Sequence, residues 1–232
     1  MRYDPPTKLD FVKEEEPEEE NPYRQSRAHV PLGTYNIAVT VNGKTEKTTA
    51  TVDPDPNLKI PAADFEAAAK AGLEARNELN ALNDSLNRLD AMQKQLQSLQ
   101  KSVQDNKELE KKYSALLKDG KDLGAKVKEL KDSVFNPNIQ HDVDEDSIHE
   151  LADFHDKLDS LVSRTAFLYG EPPNELMRER AQTLRKELDA FLEKFNSLLK
   201  ADVAAYNKAA YGAGAATLMQ GDPVVVKEYG AK

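Results

Sequence analysis

The stretch from Pro61 to Val103 constrains the fold more than any other part of the chain. Leu79, Leu82, Leu86, Leu89, Leu96 and Val103 recur there in steps of three and four, or in multiples of such steps, with Gln93 and Gln100 in the polar gaps. That period is helical, and it paints one continuous apolar stripe along a very long rod. Pro61 suits the start of a helix, where its missing N–H costs nothing, and Asp64 and Glu66 complement the positive end of the dipole. A stripe of this length must be covered, so the chain has to supply partner helices.

The nearest cover lies downstream. Leu109, Tyr113, Leu116, Leu123, Val127, Leu130 and Val134 repeat the same steps, with Gly120 in the missing position. The phase slips around Asp105-Asn106, which predicts a turn and an antiparallel hairpin of helices, with one continuous kinked helix as the alternative. Phe135-Asn136-Pro137-Asn138 ends this second rod. Ser147-Ile148-His149-Glu150 has the form of a capping box and predicts a third helix with the stripe Ile148, Leu151, Phe154, Leu158, Leu161 and Leu168. After Gly170-Glu171-Pro172-Pro173 a fourth helix is expected from about Asn174 to Asn207. Its stripe is Met177, Ala181, Leu184, Leu188, Phe191, Phe195 and Leu198.

Ahead of the helices stands a different period. Tyr35, Ile37, Val39 and Val41 alternate with Asn36, Ala38 and Thr40, which is strand spacing. Asn42-Gly43 then tolerates positive φ at both centres of a type I′ turn, and Lys44–Val52, rich in Thr and Val, returns. Asp53-Pro54-Asp55-Pro56 closes the hairpin. The acidic run Glu14–Glu20 reads as a solvated loop. The tail after Tyr211 is rich in Gly and Ala before Pro223-Val224-Val225-Val226, a short extended segment. The organisation is thus a β segment over 1–56, a helical bundle over 57–210 and a tail over 211–232. The fold class is mainly α, with long antiparallel helical hairpins in a four-helix array.

Composition narrows the function. Charged residues reach 31% while aromatics are 6% with no Trp, a balance suited to narrow helical stripes more than to an enzyme cleft. The net charge of −9, with basic residues interspersed among acidic ones, argues against nucleic acid and anionic membrane as partners. There is no cysteine, which excludes disulfides, thiolate metal sites and cysteine nucleophiles. No apolar run approaches the ~20 residues that span a bilayer. Met1–Pro6 lacks the apolar stretch of a signal peptide.

The chemical motifs resolve into ordinary surface features. Asp142-Val143-Asp144-Glu145-Asp146 has the alternation of a calcium loop, but Ser147 stands where that loop turns on Gly and Asp153 where it wants Glu. Among His29, His141, His149 and His155 no pair has the i, i+4 spacing of a helical zinc site. His149 and His155 are expected at the surface. Gly212 and Gly214 lie among alanines without the Lys-Ser/Thr of a phosphate loop. No catalytic, cofactor-binding or metal-ligating residue is assigned.

Several stretches resemble one family. Pro31-Leu32-Gly33-Thr34-Tyr35, Val39–Lys44, Val52-Asp53-Pro54-Asp55-Pro56 and Ala62-Ala63-Asp64 are similar to the C-terminal region of bacterial sortilin-like β-propeller proteins of the glycosyl hydrolase type. Met1-Arg2-Tyr3 with Pro5-Pro6-Thr7, Phe191–Asn196 and Asp202–Asn207 resemble further parts of it. The resemblance implies that the hairpin is the end of an incomplete Ig-like β-sandwich and that a helical module follows. It implies a secreted or periplasmic protein whose active machinery lies in upstream propeller domains. No family catalytic residue has a matching position here. The expected function is therefore a non-catalytic structural and interaction module. Its partners would be those upstream domains, a separate chain carrying them, or further copies of itself. The alternative is an independent cytoplasmic coiled-coil adaptor that binds partner helices.

Overall fold

The computed structural model describes residues 1–12, 27–137 and 151–229. It is mainly helical, with one two-stranded antiparallel hairpin. Strands β1 (Gly33–Val41) and β2 (Lys44–Val52) pair in full register from Gly33 opposite Val52 to Val41 opposite Lys44. The tight turn needs positive φ at two residues in succession, and Asn42 and Gly43 take φ of 50° and 77°.

Helix α1 (Ala62–Val103) is the spine of the molecule; at 1.5 Å per residue its 42 residues reach about 63 Å. Leu79, Leu82, Leu86, Leu89 and Val103 of the expected stripe are buried, and Leu96 packs against the core from its edge. The structure adds Met92, also buried, so the stripe passes from Leu89 to Leu96 through a thioether and not past a polar gap at Gln93.

The expected turn follows at Gln104–Asn106. Asn106 caps α2 (Lys107–Lys112), its side chain accepting from the N–H groups of Glu108 and Leu109 at 3.0 and 3.1 Å. The second rod is broken where the sequence predicts continuity: Tyr113 leaves helical geometry at φ −98°, ψ 11°, before α3 (Ser114–Asp132). Helix α3 returns antiparallel along α1, with Lys131 at Asp90 and Gly120 beside Leu96. Gly120 is there for want of space. A Cβ at that position would lie 3.3 Å from the Tyr206 ring and 3.4 Å from Leu96.

Helix α4 (Phe154–Ala166) lies antiparallel to α1 on another flank, with His155 at Asn83 and Thr165 at Gly72. Its start corrects the expectation. Asp153 is the cap, accepting from the N–H of Asp156 at 2.8 Å, and Leu151 stands outside the helix, 93% exposed. Ser147–Glu150 lie outside the described residues. Leu168 also falls beyond the helix end at Ala166.

The fourth rod is α5 (Glu175–Leu198), one π-helical turn (Leu199–Val203) and α6 (Ala204–Ala213), so it runs past the expected end at Asn207. The π turn adds a residue without breaking the rod, and the buried row continues as Phe195, Leu199, Val203, Tyr206 and Ala210. Asn174 caps α5 through the N–H of Met177. Gly214, at φ 72°, ends α6 in the left-handed conformation, with the N–H of Ala215 on the carbonyl of Ala210. Among the described residues no helix is long and apolar enough to cross a membrane.

Candidate functional site

Two extended segments lie along the helices without forming strands, each held by side-chain amides. The N-terminal strap runs parallel to α1. Asn80 accepts from the N–H of Thr7 at 2.6 Å and Asn83 donates to the Thr7 carbonyl at 2.7 Å. Asn87 accepts from the N–H of Asp10 and donates to the Lys8 carbonyl, both at 2.8 Å. At its end Phe11 meets Phe135 edge-on at 5.4 Å, under the Lys131 ammonium.

The C-terminal strap turns back at Gly214 and runs antiparallel to both α1 and the α5–α6 rod. Asn207 clamps Leu218 by accepting from its N–H at 2.7 Å and donating to its carbonyl at 3.0 Å. Asn196 clamps Val224 the same way, at 2.9 and 2.8 Å. Gln220 donates to the carbonyl of Leu199, on the π turn. From α1, Gln95 accepts from the N–H of Met219, Arg88 donates to the carbonyls of Gln220 and Asp222, and Asn77 donates to that of Lys227. The segment read as extended at Val224–Val226 is therefore extended, but it pairs with side chains and not with a sheet.

Beside the end of this strap, α1 and α5 run parallel and part. The cleft between them holds about 620 Å³ and has α4 as its floor. Ala67, Ala71, Ala75, Leu161, Met177 and Ala181 make its apolar lining, and Pro172-Pro173 closes one end. At the other end stands Glu78, its side chain only 9% exposed. Burial pushes the Glu78 carboxyl up to about 7; Arg185 pulls the other way, while Glu74 and Asp189 add to the rise. Arg185 Nη1 stands 3.6 Å from Glu78 Oε1, just beyond hydrogen-bond range. Its other donors serve Asp189 at 2.9 Å and Glu228 of the strap at 3.3 Å. Nothing in the sequence reading singled out Glu78. Its signal is an ionisable residue between Ala75, Leu79 and Leu82, on the buried side of the stripe.

The histidines are rearranged relative to expectation. His155 is half-buried, not a surface residue, because α4 docks that edge on α1: its Nε2 is 3.0 Å from Asn83 Oδ1 and its ring meets Phe135 at 5.6 Å. Asp153, His155 and Asp156 have ligand atoms within 4.8 Å of one another. Both Asp153 oxygens, however, are engaged: Oδ1 caps α4 by accepting from the N–H of Asp156, and Oδ2 accepts from the N–H of Asn136, beyond the end of α3. His29 lies against Tyr169 at 5.3 Å, and burial, then Arg2, lowers its pKa. The calcium-like run Asp142–Asp146 and the residues His141 and His149 lie outside the described residues.

The hairpin carries an apolar row that becomes exposed toward its tip. Tyr35 and Ile37 are half-buried, and the Tyr35 hydroxyl donates to the Pro31 carbonyl at 2.6 Å. Toward the tip Val39 and Val41 are 55% and 63% exposed, opposite Glu46 and Lys44. At its base Met1–Tyr3 pairs with Ala28–Val30: the N–H of Tyr3 donates to Ala28 at 2.9 Å, and that of Val30 to Met1 at 3.3 Å. No protein-family model, curated protein or solved structure matches the chain.

Proposed function

We propose that this chain is a non-catalytic structural and interaction module, the C-terminal part of a secreted sortilin-like β-propeller protein of the glycosyl hydrolase type. In this reading the hairpin is the edge of an Ig-like sandwich whose other strands come from upstream domains or a separate chain. The helices form a four-helix array that spaces or clamps the propeller. The observation that carries it is the hairpin itself. Two nine-residue strands make a ladder whose outer edges pair with no other strand among the described residues, and Val39 and Val41 face water near its tip. A lone two-stranded hairpin is marginally stable, and free strand edges invite further pairing. The helical body, by contrast, is tied together by buried stripes and two amide-held straps.

Hydrogen exchange on the isolated chain tests this. Amides of Tyr35–Val52 are expected to exchange fast while those of α1 and α5 exchange slowly. Protection of both strands equal to that of the helical core would show a self-sufficient hairpin and remove the support for a missing partner sheet.

A further inference from the structure

The two straps leave a gap over α1. It is a cleft of about 390 Å³, walled by Tyr3 of the N-terminal strap, Leu73 and Arg76 of α1, and Lys227, Glu228 and Tyr229 of the C-terminal strap. Arg76 is half-buried there, and its Nε is shielded from solvent and donates to nothing. Among the described residues its guanidinium pairs with no carboxylate; it lies over the Tyr3 ring, Cζ 5.9 Å from the centroid. Buried polar groups are almost always paired, so an unanswered guanidinium in a cleft is a costly thing for a fold to keep. We propose that the cleft binds a small aryl carboxylate, with its carboxylate on Arg76 and Lys227 and its ring against Tyr3, Tyr229 and Leu73.

Charge complementarity selects an anion. Two cations and one carboxylate line the cleft, and the carboxylate is answered from outside it: Glu228 accepts from Arg185 of α5 at 3.3 Å. The Lys227 ammonium pairs with no carboxylate among the described residues, while Asn77 fixes its main chain by donating to its carbonyl at 2.9 Å. The acids nearby on α1 are engaged as well. Glu66 accepts from the Tyr229 hydroxyl, and Glu74 pairs with Lys70 at 3.8 Å. The uncompensated charge is therefore positive, and with Glu228 counted it matches a monoanion better than a phosphate dianion. A guanidinium presents a flat fork of donors that fits a carboxylate in two parallel bonds, whereas an ammonium is a point charge. The walls select the body of the ligand. Two phenol rings and a leucine offer flat apolar surface, and 390 Å³ lies toward the small end of the ~300–1,000 Å³ of ligand pockets.

The test uses the full chain and three ligands with one body, phenylpropanoate, phenylpropanamide and phenylpropylammonium, titrated calorimetrically at neutral pH. Phenylpropanoate is expected to bind saturably at one site, at least about tenfold tighter than the amide, with the ammonium weakest. Propanoate, which keeps the charge and lacks the ring, should also bind at least about tenfold more weakly. Arg76→Met should cost phenylpropanoate about tenfold while leaving the amide within about twofold, and Arg76→Lys, which keeps the charge and loses the fork, should restore only part. Lys227→Met, on the exposed strap, should cost about threefold, and it decides the matter should circular dichroism show that Arg76→Met does not fold. The ammonium or propanoate binding as tightly as phenylpropanoate, unchanged affinity in a folded Arg76→Met or in Lys227→Met, or no saturable binding up to about 10 mM would each overturn the proposal.

Discussion

Glu78 turns the packing of α1 against α5 into a pH-dependent quantity. Its carboxyl rises from an ordinary 4.5 to about 7 on folding, chiefly through burial. The folded state therefore binds the proton more tightly than the unfolded state does. Its contribution to stability is complete below about 4.5 and is lost as pH rises through about 7. At roughly 1.4 kcal/mol per pKa unit, the 2.5-unit difference amounts to about 3 kcal/mol between acid and pH 8. Glu78→Gln keeps the shape and removes the charge. Arg185 keeps Asp189 and Glu228 as partners in the variant. Urea unfolding of both proteins from pH 4 to pH 8 isolates the effect, because groups common to both cancel in the difference. The variant should match the parent within about 1 kcal/mol at pH 4–5 and exceed it by about 3 kcal/mol at pH 8. In a chain of this size that gap corresponds to roughly 6–12 °C in melting temperature. A difference independent of pH, or one in which the parent gains on the variant as pH rises, would refute the reasoning. The Arg185 contact would then outweigh burial.

Three further substitutions probe the same architecture. Leu89→Asp places a charge in a fully buried site on the α1 stripe; a loss of about 4 kcal/mol or more by thermal circular dichroism is expected, and an unchanged melt would contradict the packing. Asn196→Ala strips both partners from Val224 and should cost about 1–3 kcal/mol. It should also open the strap to limited proteolysis near Val224, and resistance equal to the parent's would argue that the clamp is dispensable. Lys131→Met breaks a half-buried pair with Asp90 at 2.7 Å and removes the cation over Phe11, for an expected loss of about 3 kcal/mol at neutral pH. Burial acts to raise the Asp90 carboxyl, but hydrogen bonds from Lys131 and Lys94 prevail and hold it low. The stabilisation it gives is present above its unfolded pKa and is lost as pH falls through the folded one. The variant should show a shallower acid limb, and a limb as steep as the parent's would refute the pairing.

The parts legible in the sequence are those governed by local period. The Leu79–Leu89 steps, the phase slip before Asn106, and Asn42-Gly43 all report interactions between near neighbours, and the structure places helix, turn and hairpin there. What stayed hidden depends on distant partners. The cap of α4 at Asp153 is inconspicuous in the sequence, because one of its two oxygens takes the N–H of Asn136, which only the docking of the segment after α3 brings there. The π turn is equally silent, because the buried row steps from Phe195 to Leu199 and Val203 as an ordinary helix would. Its one distinctive partner is Gln220, which comes from another segment to take the Leu199 carbonyl. Glu78 sits among buried residues, yet its meaning arises only when Arg185 is seen divided among three acids.

The straps show why an absence of periodicity is not an absence of structure. An extended segment laid on a helix has neither a ladder nor an intrahelical bond for its own N–H and C=O groups, and burying them unpaired costs about 1–3 kcal/mol apiece. A primary amide solves the problem, since its NH2 donors and its carbonyl acceptor stand side by side and can pair with the C=O and N–H of a single residue. Asn is a poor choice for helix interiors on propensity alone. Yet α1 carries Asn77, Asn80, Asn83 and Asn87 in steps of three and four, one face of the helix, and three of them hold the N-terminal strap while Asn77 reaches the other. Asn196 and Asn207 repeat the device on the opposite rod. The helix-weakening residues are therefore placed where loss of propensity, a few tenths of a kcal/mol each, is offset by backbone groups that would otherwise go unpaired. A run of asparagines at helical spacing beside a leucine stripe marks a second contact face, one that recognises main chain where the leucines recognise side chains.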